Sequence, residues 1–375
     1  MVVGSALMLR PVPPLVASKP GSGFYWQRRL FNLAGSTNIT VSACKPSAKR
    51  FISETPLRLE SSGQDDPRLK EVLGRTIADD FAKLRSDYAS PKYPVVLAHG
   101  LLGFSTLELA GHLLPPIEYW HGVRTALEAR GVTVITPAVP PSASIAVRAA
   151  KLATQIADSV PSGTPVNIIA HSMGGLDARL LVSPAFADQL SSVTAERLNV
   201  ASLVTISTPH RGSTYAEHVI NLLGPQRVEG ARRMLRTTMG WDNTEAFEQL
   251  TPRYMKEVFN PATPDHPDTR YFSYGAMTDG RPRLFSPFRA SHKIIQAAEG
   301  PNDGLVSVES SKWGTYEGTV VGVSHLALIN WFDVTEPRRT NRLGWTVRKW
   351  LGQEETFNAI AFYLDIADML AKRGL

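Results

Sequence analysis

The chain of 375 residues has a single cysteine, Cys44, so it can close no internal disulfide and cannot build a metal site from several thiolates. It also lacks any uninterrupted apolar run of the roughly 18 residues that a bilayer-spanning helix needs. Acidic residues are missing from residues 1–53, which carry seven bases: Arg10, Lys19, Arg28, Arg29, Lys45, Lys49 and Arg50. Without those seven, the 40 bases fall to 33 against 34 acids, so the net charge of +6 belongs to this leader and the remainder stands at −1. A nucleic-acid binder would carry its basic excess on the folded domain, and none is there. What the chain has in quantity is apolar residues. At 43% hydrophobic and 20% charged, it is not wholly disordered and can form a sizeable core held together by burial.

A leader rich in Arg, Ser, Thr and small apolar residues, with no acid, has the composition of a mitochondrial transit peptide, because a chain drawn toward a negative compartment should carry only positive charge. A secretory signal fits less well: its apolar core would have to be Val2–Leu9, which is short and is followed at once by Pro11, Pro13 and Pro14. The triplet Asn38-Ile39-Thr40 is a glycosylation sequon that would suit secretion, but such triplets recur by chance. Residues 54–90 read as a linker followed by a helix, with Asp66 as its cap, Pro67 in its first turn and a stripe of Leu69, Leu73, Ile77, Phe81, Leu84 and Tyr88.

From residue 91 to the C-terminus short β-rich runs alternate with helical patterns. The runs are Pro94–Ala98, Val132–Thr136, Val166–Ala170, Leu203–Ile206, Tyr271–Ala276 and Thr319–Val323; helical periodicity covers Trp120–Arg130, Ser144–Ser159 and Met173–Val182. Strands separated by helices of this length specify βαβ units, hence an α/β fold with a mostly parallel central sheet flanked by helices. Sites in such sheets form where the strands end.

After Val166–Ala170 comes Ala170-His171-Ser172-Met173-Gly174-Gly175, a G-x-S-x-G pattern with alanine in its first position. The pattern alone is weak, and a serine–glycine turn without chemistry competes with it. A strand before and a helix after Ser172 are what a nucleophile elbow requires, and that tight turn tolerates only small residues such as Ala170 and Gly174 on either side. A serine needs a base, which follows it in chain order in this setting. His325 follows the final β-rich run closely; His292 lacks such a platform, and His210, in Thr208-Pro209-His210-Arg211-Gly212, reads as part of a packed loop beside the elbow. For the acid, Asp303 in Asn302-Asp303-Gly304-Leu305-Val306 and Asp279, just after Tyr271–Ala276, are both open; Asp265 and Asp268 lie in a proline-rich loop. An oxyanion needs two donors, and the N–H groups of Met173 and of Leu101, in His99-Gly100-Leu101-Leu102-Gly103, are placed to supply them. His99 precedes the serine and reads as a structural hydrogen-bonding group of that loop.

From about Tyr93 onward the chain resembles the α/β-hydrolase lipases, bacterial true lipases and more closely the fungal mitochondrial triacylglycerol lipases. The resemblance rests on His99-Gly100-Leu101, Tyr119-Trp120, Ala170–Gly175, Thr208–Ser213, Asn302–Ser307 and His325-Leu326, in that order. It implies Ser172 as nucleophile, Asp303 as acid and His325 as base, and Leu101 and Met173 as oxyanion donors. It also implies a serine-dependent triacylglycerol lipase that acts through an acyl-enzyme, with a lipid ester as substrate, peripheral contact with a lipid surface, no nucleic-acid partner and no cofactor. The same triad would serve a phospholipase or lipid acyltransferase, and a non-catalytic lipid-binding relative would have little reason to keep it intact.

Bacterial relatives hold a structural calcium in part through an aspartate two residues after the base; that position is Ala327, which offers no side-chain oxygen. No calcium site of that type is expected, so EGTA should leave both melting temperature and activity unchanged. Residues 213–265 read as a helical cap or lid insertion. Between Ser213 and Leu250 it mixes Val219, Ile220, Leu222, Leu223, Met234, Leu235 and Met239 with Arg227, Arg232, Arg233 and Arg236.

Overall fold

A computed structural model describes residues 71–375 apart from 79, 82, 102–105, 108–116, 188, 191–193, 195–196, 223–244, 281–285, 287 and 332–356. The leader, the start of the proposed N-terminal helix with Asp66, Pro67 and Leu69, and the middle of the insertion with its arginines lie outside the described residues.

Seven strands form one sheet: β1 (Thr76–Ile77), β2 (Val95–Ala98), β3 (Val134–Ile135), β4 (Pro165–His171), β5 (Asn199–Ile206), β6 (Arg270–Met277) and β7 (Thr315–Val321). Their order is β1-β7-β6-β5-β4-β2-β3, and every neighbouring pair is parallel. Parallel pairing forces crossovers, and the helices in them cover both faces of the sheet. On one face lie α1 (Val123–Glu128) and the C-terminal helix α6 (Ala359–Lys372), with Val123, Leu127, Phe362, Ile366 and Leu370 in the same core as Val95 and Val204. On the other lie α2 (Ile145–Ser159) and α3 (Gly174–Val182), packed through Ala149, Leu152, Ile156 and Leu181 against Val96, Ile168 and Leu203. The central strands are therefore apolar nearly throughout.

Helix α2 shows why these segments are helical. Ile145, Ala149, Leu152, Ala153 and Ile156 recur at three- and four-residue steps and are all buried. It ends because Pro161 pushes Val160 into an extended conformation, φ −131° and ψ 154°. Helix α6 starts where the Asn358 side-chain Oδ1 accepts from the N–H groups of Ile360 and Ala361. Two more helices, α4 (Arg289–Ala298) and α5 (Val308–Ser311), lie between β6 and β7 and flank the loop that carries Asp303.

The stripe from Leu73 to Tyr88 does not make one helix. The helical stretch 71–73 stops at Gly74, whose φ of +63° reverses the backbone, and the chain then adds Thr76–Ile77 as an edge strand beside β7. Leu73, Ile77 and Phe81 are still buried, whereas Leu84 is 54% exposed and Tyr88 half-buried, so the apolar pattern reports burial only in its first part and its period wrongly. The final strand also starts and ends earlier than its β-rich run, at Thr315–Val321, because Gly322 at φ +78° turns the chain before His325.

Candidate active site

The candidate elements follow the carboxyl ends of β2, β4, β6 and β7, strands of one parallel sheet. Ser172 directly follows β4, with φ +56°, a left-handed conformation that costs a non-glycine residue roughly 1–2 kcal/mol. Its N–H donates to the Ile206 carbonyl at 3.0 Å, and its own carbonyl accepts from Thr208 Oγ1 at 2.8 Å, so β5 and the loop after it hold the turn. Gly174 is needed there: a Cβ on it would stand 2.5 Å from the Ala98 carbonyl oxygen and 2.6 Å from that of His99. The elbow is thus pressed against the end of β2, which brings Ser172 to the His99–Leu101 loop.

His325 and Asp303 are joined. The imidazole Nδ1 lies 2.6 Å from Asp303 Oδ2, and the His325 N–H donates to the Asp303 carbonyl at 3.0 Å. The other carboxylate oxygen, Oδ1, accepts from the N–H groups of Leu305 and Val306 at 2.9 and 2.8 Å. Asp303 is fully buried, and both of its carboxyl oxygens are engaged by these three contacts. The acid loop is itself tied to the sheet, since the Thr278 N–H after β6 donates to the Asn302 carbonyl at 3.0 Å. The rival Asp279 is exposed at the surface.

Ser172 and His325 open into one cavity of about 510 Å³. Its walls are mostly apolar: Phe288, Leu305, Leu326 and Ile329 come from the hydrolase core, and Tyr215, Val219, Phe247 and Leu250 from the described parts of the insertion. The start of the insertion is pinned beside it, as the Ser213 N–H donates to the Leu250 carbonyl at 2.9 Å and Ser213 Oγ to the Leu305 carbonyl at 2.8 Å.

The two N–H groups expected to face an oxyanion are set by different means. Met173 opens the first turn of α3, where helix geometry offers its N–H no acceptor four residues back. The N–H of Leu101 belongs to the same peptide plane as the Gly100 carbonyl, and that carbonyl is gripped from behind. Arg148 Nη2 donates to the carbonyls of His99 and Gly100 at 2.9 and 3.2 Å, and His99 Nδ1 lies 3.1 Å from the Gly100 oxygen. In a trans peptide the N–H points opposite the C=O, so holding the carbonyl fixes the Leu101 N–H. Arg148 is fully buried and also donates to Asp177 Oδ2 and the Pro140 carbonyl.

His99 is structural, as expected: Nε2 accepts from the Val139 N–H, and burial, helped by the charge of Arg148, lowers its pKa to about 4. His210 is likewise buried, against Thr205 and stacked on Trp313, and burial holds it well below the usual histidine range. His292 lies on α4, away from the cavity lining. Arg148 and Asp177 were not singled out in the sequence. The signal for Arg148 was available, because it occupies a position on the buried stripe of α2 where a charge requires a partner.

A family model described as "Putative serine esterase (DUF676)" matches residues 142–312. Triacylglycerol lipase 2 of Saccharomyces cerevisiae is 36% identical over 344 residues, an alignment that covers 79% of this chain and 96% of that protein. The chain belongs to the α/β-hydrolase lipase family. A triacylglycerol lipase of Burkholderia plantarii is 33% identical over a shorter stretch, 41% of this chain and 40% of the relative. Among solved structures, Staphylococcus hyicus lipase superposes with a TM-score of 0.56 at 18% identity, covering 77% of this chain and 98% of that one; EstA from Clostridium botulinum gives 0.53 at 18%, covering 78% and 92%. These establish the α/β-hydrolase fold. As a lipase-family member with this fold, the protein is a serine ester hydrolase.

Proposed function

We propose that the protein is a triacylglycerol lipase whose nucleophile is Ser172, with His325 as base and Asp303 as the acid that orients it. The observation that carries this reading is the buried 2.6 Å contact between His325 and Asp303 at the rim of the apolar cavity that also exposes the strained Ser172. With Nδ1 engaged by the carboxylate, the imidazole is left with Nε2 for the serine hydroxyl. Ser172 Oγ would attack the ester carbonyl as His325 takes its proton. The N–H groups of Leu101 and Met173 would receive the developing oxyanion, and His325 would pass the proton to the leaving alkoxide. Water, activated by the same imidazole, would then release the fatty acid from the acyl-enzyme. The cavity of about 510 Å³ falls within the range of roughly 300–1,000 Å³ typical of small-molecule sites, and its apolar walls suit an acyl chain. Support for the triacylglycerol substrate comes from the relatives' own named activity. A fluorophosphonate should label Ser172, and hydrolysis profiles over acyl length and headgroup should favour long-chain acylglycerols. Labelling elsewhere, or preference for a phospholipid, would redirect the assignment.

Two further parts of this proposal rest on the sequence. The basic leader, with no acid in residues 1–53, supports a mitochondrial address. A reporter fused to residues 1–60 should be imported into mitochondria; a cytosolic reporter refutes this. Peripheral contact with a lipid surface is supported by Leu222, an apolar residue 72% exposed and three positions after Val219 of the cavity wall.

A further inference from the structure

Tyr119 is a buried phenol whose oxygen stands between two of the candidate elements. It accepts from the Gly100 N–H at 3.0 Å and lies 2.8 Å from His171 Nδ1. A phenol that accepts from the Gly100 N–H can give its own proton to His171 Nδ1, the direction in which a neutral His171 carries its proton on Nε2. Both groups stay neutral: burial pushes the Tyr119 phenol well above its usual range, and burial together with the neighbouring His325 holds His171 well below its own. The remaining proton of His171 therefore sits on Nε2, which makes no hydrogen bond of normal geometry among the described residues, although the His325 main chain lies close enough to favour a proton on that ring.

His171 immediately precedes Ser172, and its ring packs against that of His325 with centroids 4.6 Å apart. The main chain around Tyr119 reaches the same region. Its carbonyl accepts from Trp331 Nε1 at 3.0 Å, the His121 carbonyl accepts from Asn330 Nδ2 at 2.8 Å, and Trp331 N–H donates back to the Leu326 carbonyl beside His325 at 3.1 Å. The segment Tyr119–His121 thus touches the oxyanion loop, the residue beside the nucleophile and the turn that follows the base.

We infer that Tyr119 is a positioning residue, whose hydroxyl ties the Gly100 main chain to His171 and so holds the oxyanion loop, the nucleophile turn and the His325 ring in one register. The inference rests on the serine-hydrolase reading of the site. Tyr119 and His171 also stand in the cavity wall, where a phenylalanine ring would keep the apolar contact that Tyr119 offers the substrate. The tie matters when charge appears: a loosened loop would move the Leu101 donor off the oxyanion, and a His171 ring that rotates or takes a proton would oppose the imidazolium forming on His325 next to it. Small misplacements at such a centre cost about tenfold to a hundredfold in rate.

The test is Tyr119→Phe, which deletes one oxygen and keeps the ring packing. Turnover should fall about tenfold to a hundredfold with KM within about twofold, and a trifluoromethyl ketone, which becomes an oxyanion only after serine adds to it, should lose affinity by a similar factor. His171→Asn keeps an acceptor near the Nδ1 position and should retain about tenfold more turnover than His171→Leu. The double variant Tyr119→Phe/His171→Leu should be no slower than the worse single one, as expected for two groups that share one bond. A Tyr119→Phe enzyme with turnover within twofold of the parent, or a fall in turnover with unchanged ketone affinity, overturns the inference. So does equal turnover of His171→Asn and His171→Leu, which decides the matter even if Tyr119→Phe does not fold. All variants are compared with a parent that reacts with a fluorophosphonate, so an unreactive parent counts against the serine-hydrolase reading, whereas a reactive parent with unaffected variants counts against the tie alone.

Discussion

Replacing Ser172 with alanine should lower turnover by about four to six orders of magnitude and leave the fold intact. The loss is that large because removing the nucleophile removes the acyl-enzyme route, and the remaining members of a triad cannot act without it. The fold should survive because the substitution deletes one partly exposed hydroxyl that makes no hydrogen bond among the described residues, while the Ser172 main chain keeps its bonds to Ile206 and Thr208. The left-handed φ of +56° persists in alanine, so stability should stay within about 0.5 kcal/mol of the parent. Ser172→Gly, which is at ease at positive φ, should be equally inactive and more stable by about 0.4–1 kcal/mol. Matched melting curves and turnover measurements check both; a folded Ser172→Ala protein with near-normal turnover would remove the nucleophile assignment.

The second large effect is expected at Arg148, where Arg148→Met should cost about 3 kcal/mol of stability and also slow turnover about a hundredfold. Asp177 would lose its cation in a site it cannot leave. Burial already pushes the Asp177 carboxyl up to about 6, with the charge of Arg148 and its hydrogen bond pulling the other way. Without Arg148 the folded-state pKa rises further and Asp177 takes up a proton, which is why the loss should fall at the low end of the range for broken buried pairs. The sign for pH follows. A carboxyl with a folded-state pKa above its ordinary 3.8 loses stability as pH rises between the two values, here from about 4 to 6. In Arg148→Met that declining interval extends upward, so its stability deficit against the parent should widen between pH 6 and 8 in urea titrations. Turnover should fall because the Gly100–Leu101 peptide loses the donor that grips its carbonyl. A variant as stable and as active as the parent would show that the buried guanidinium does neither job.

The strands and helices that carry the site were legible because their signals are local. A β-rich run followed by small residues and a helical period marks the elbow at Ser172 within a dozen positions, and βαβ alternation is enough to imply a parallel sheet. The stripe from Leu73 to Tyr88 misled because helical spacing and an irregular path onto a sheet edge can bury the same residues; Gly74 decided between them. The acid was not legible from pattern alone. Asp279 and Asp303 both follow β6 in the chain, and only the tertiary structure shows one exposed and the other enclosed with three hydrogen bonds.

The linear chain determined on its own that this protein would fold around a parallel sheet, and it nominated Ser172 and His325, because periodicity and strand-end position are properties of neighbouring residues. Tertiary structure brings Asp303, which the resemblance had named as the acid, against His325, and it alone decided that Arg148 reaches the carbonyls of His99 and Gly100 and that Tyr119 spans from Gly100 to His171. Those contacts join residues 19 to 52 positions apart. A hydrogen bond depends on ångström distances and on direction, and over such separations both are set by how the sheet and its crossovers pack.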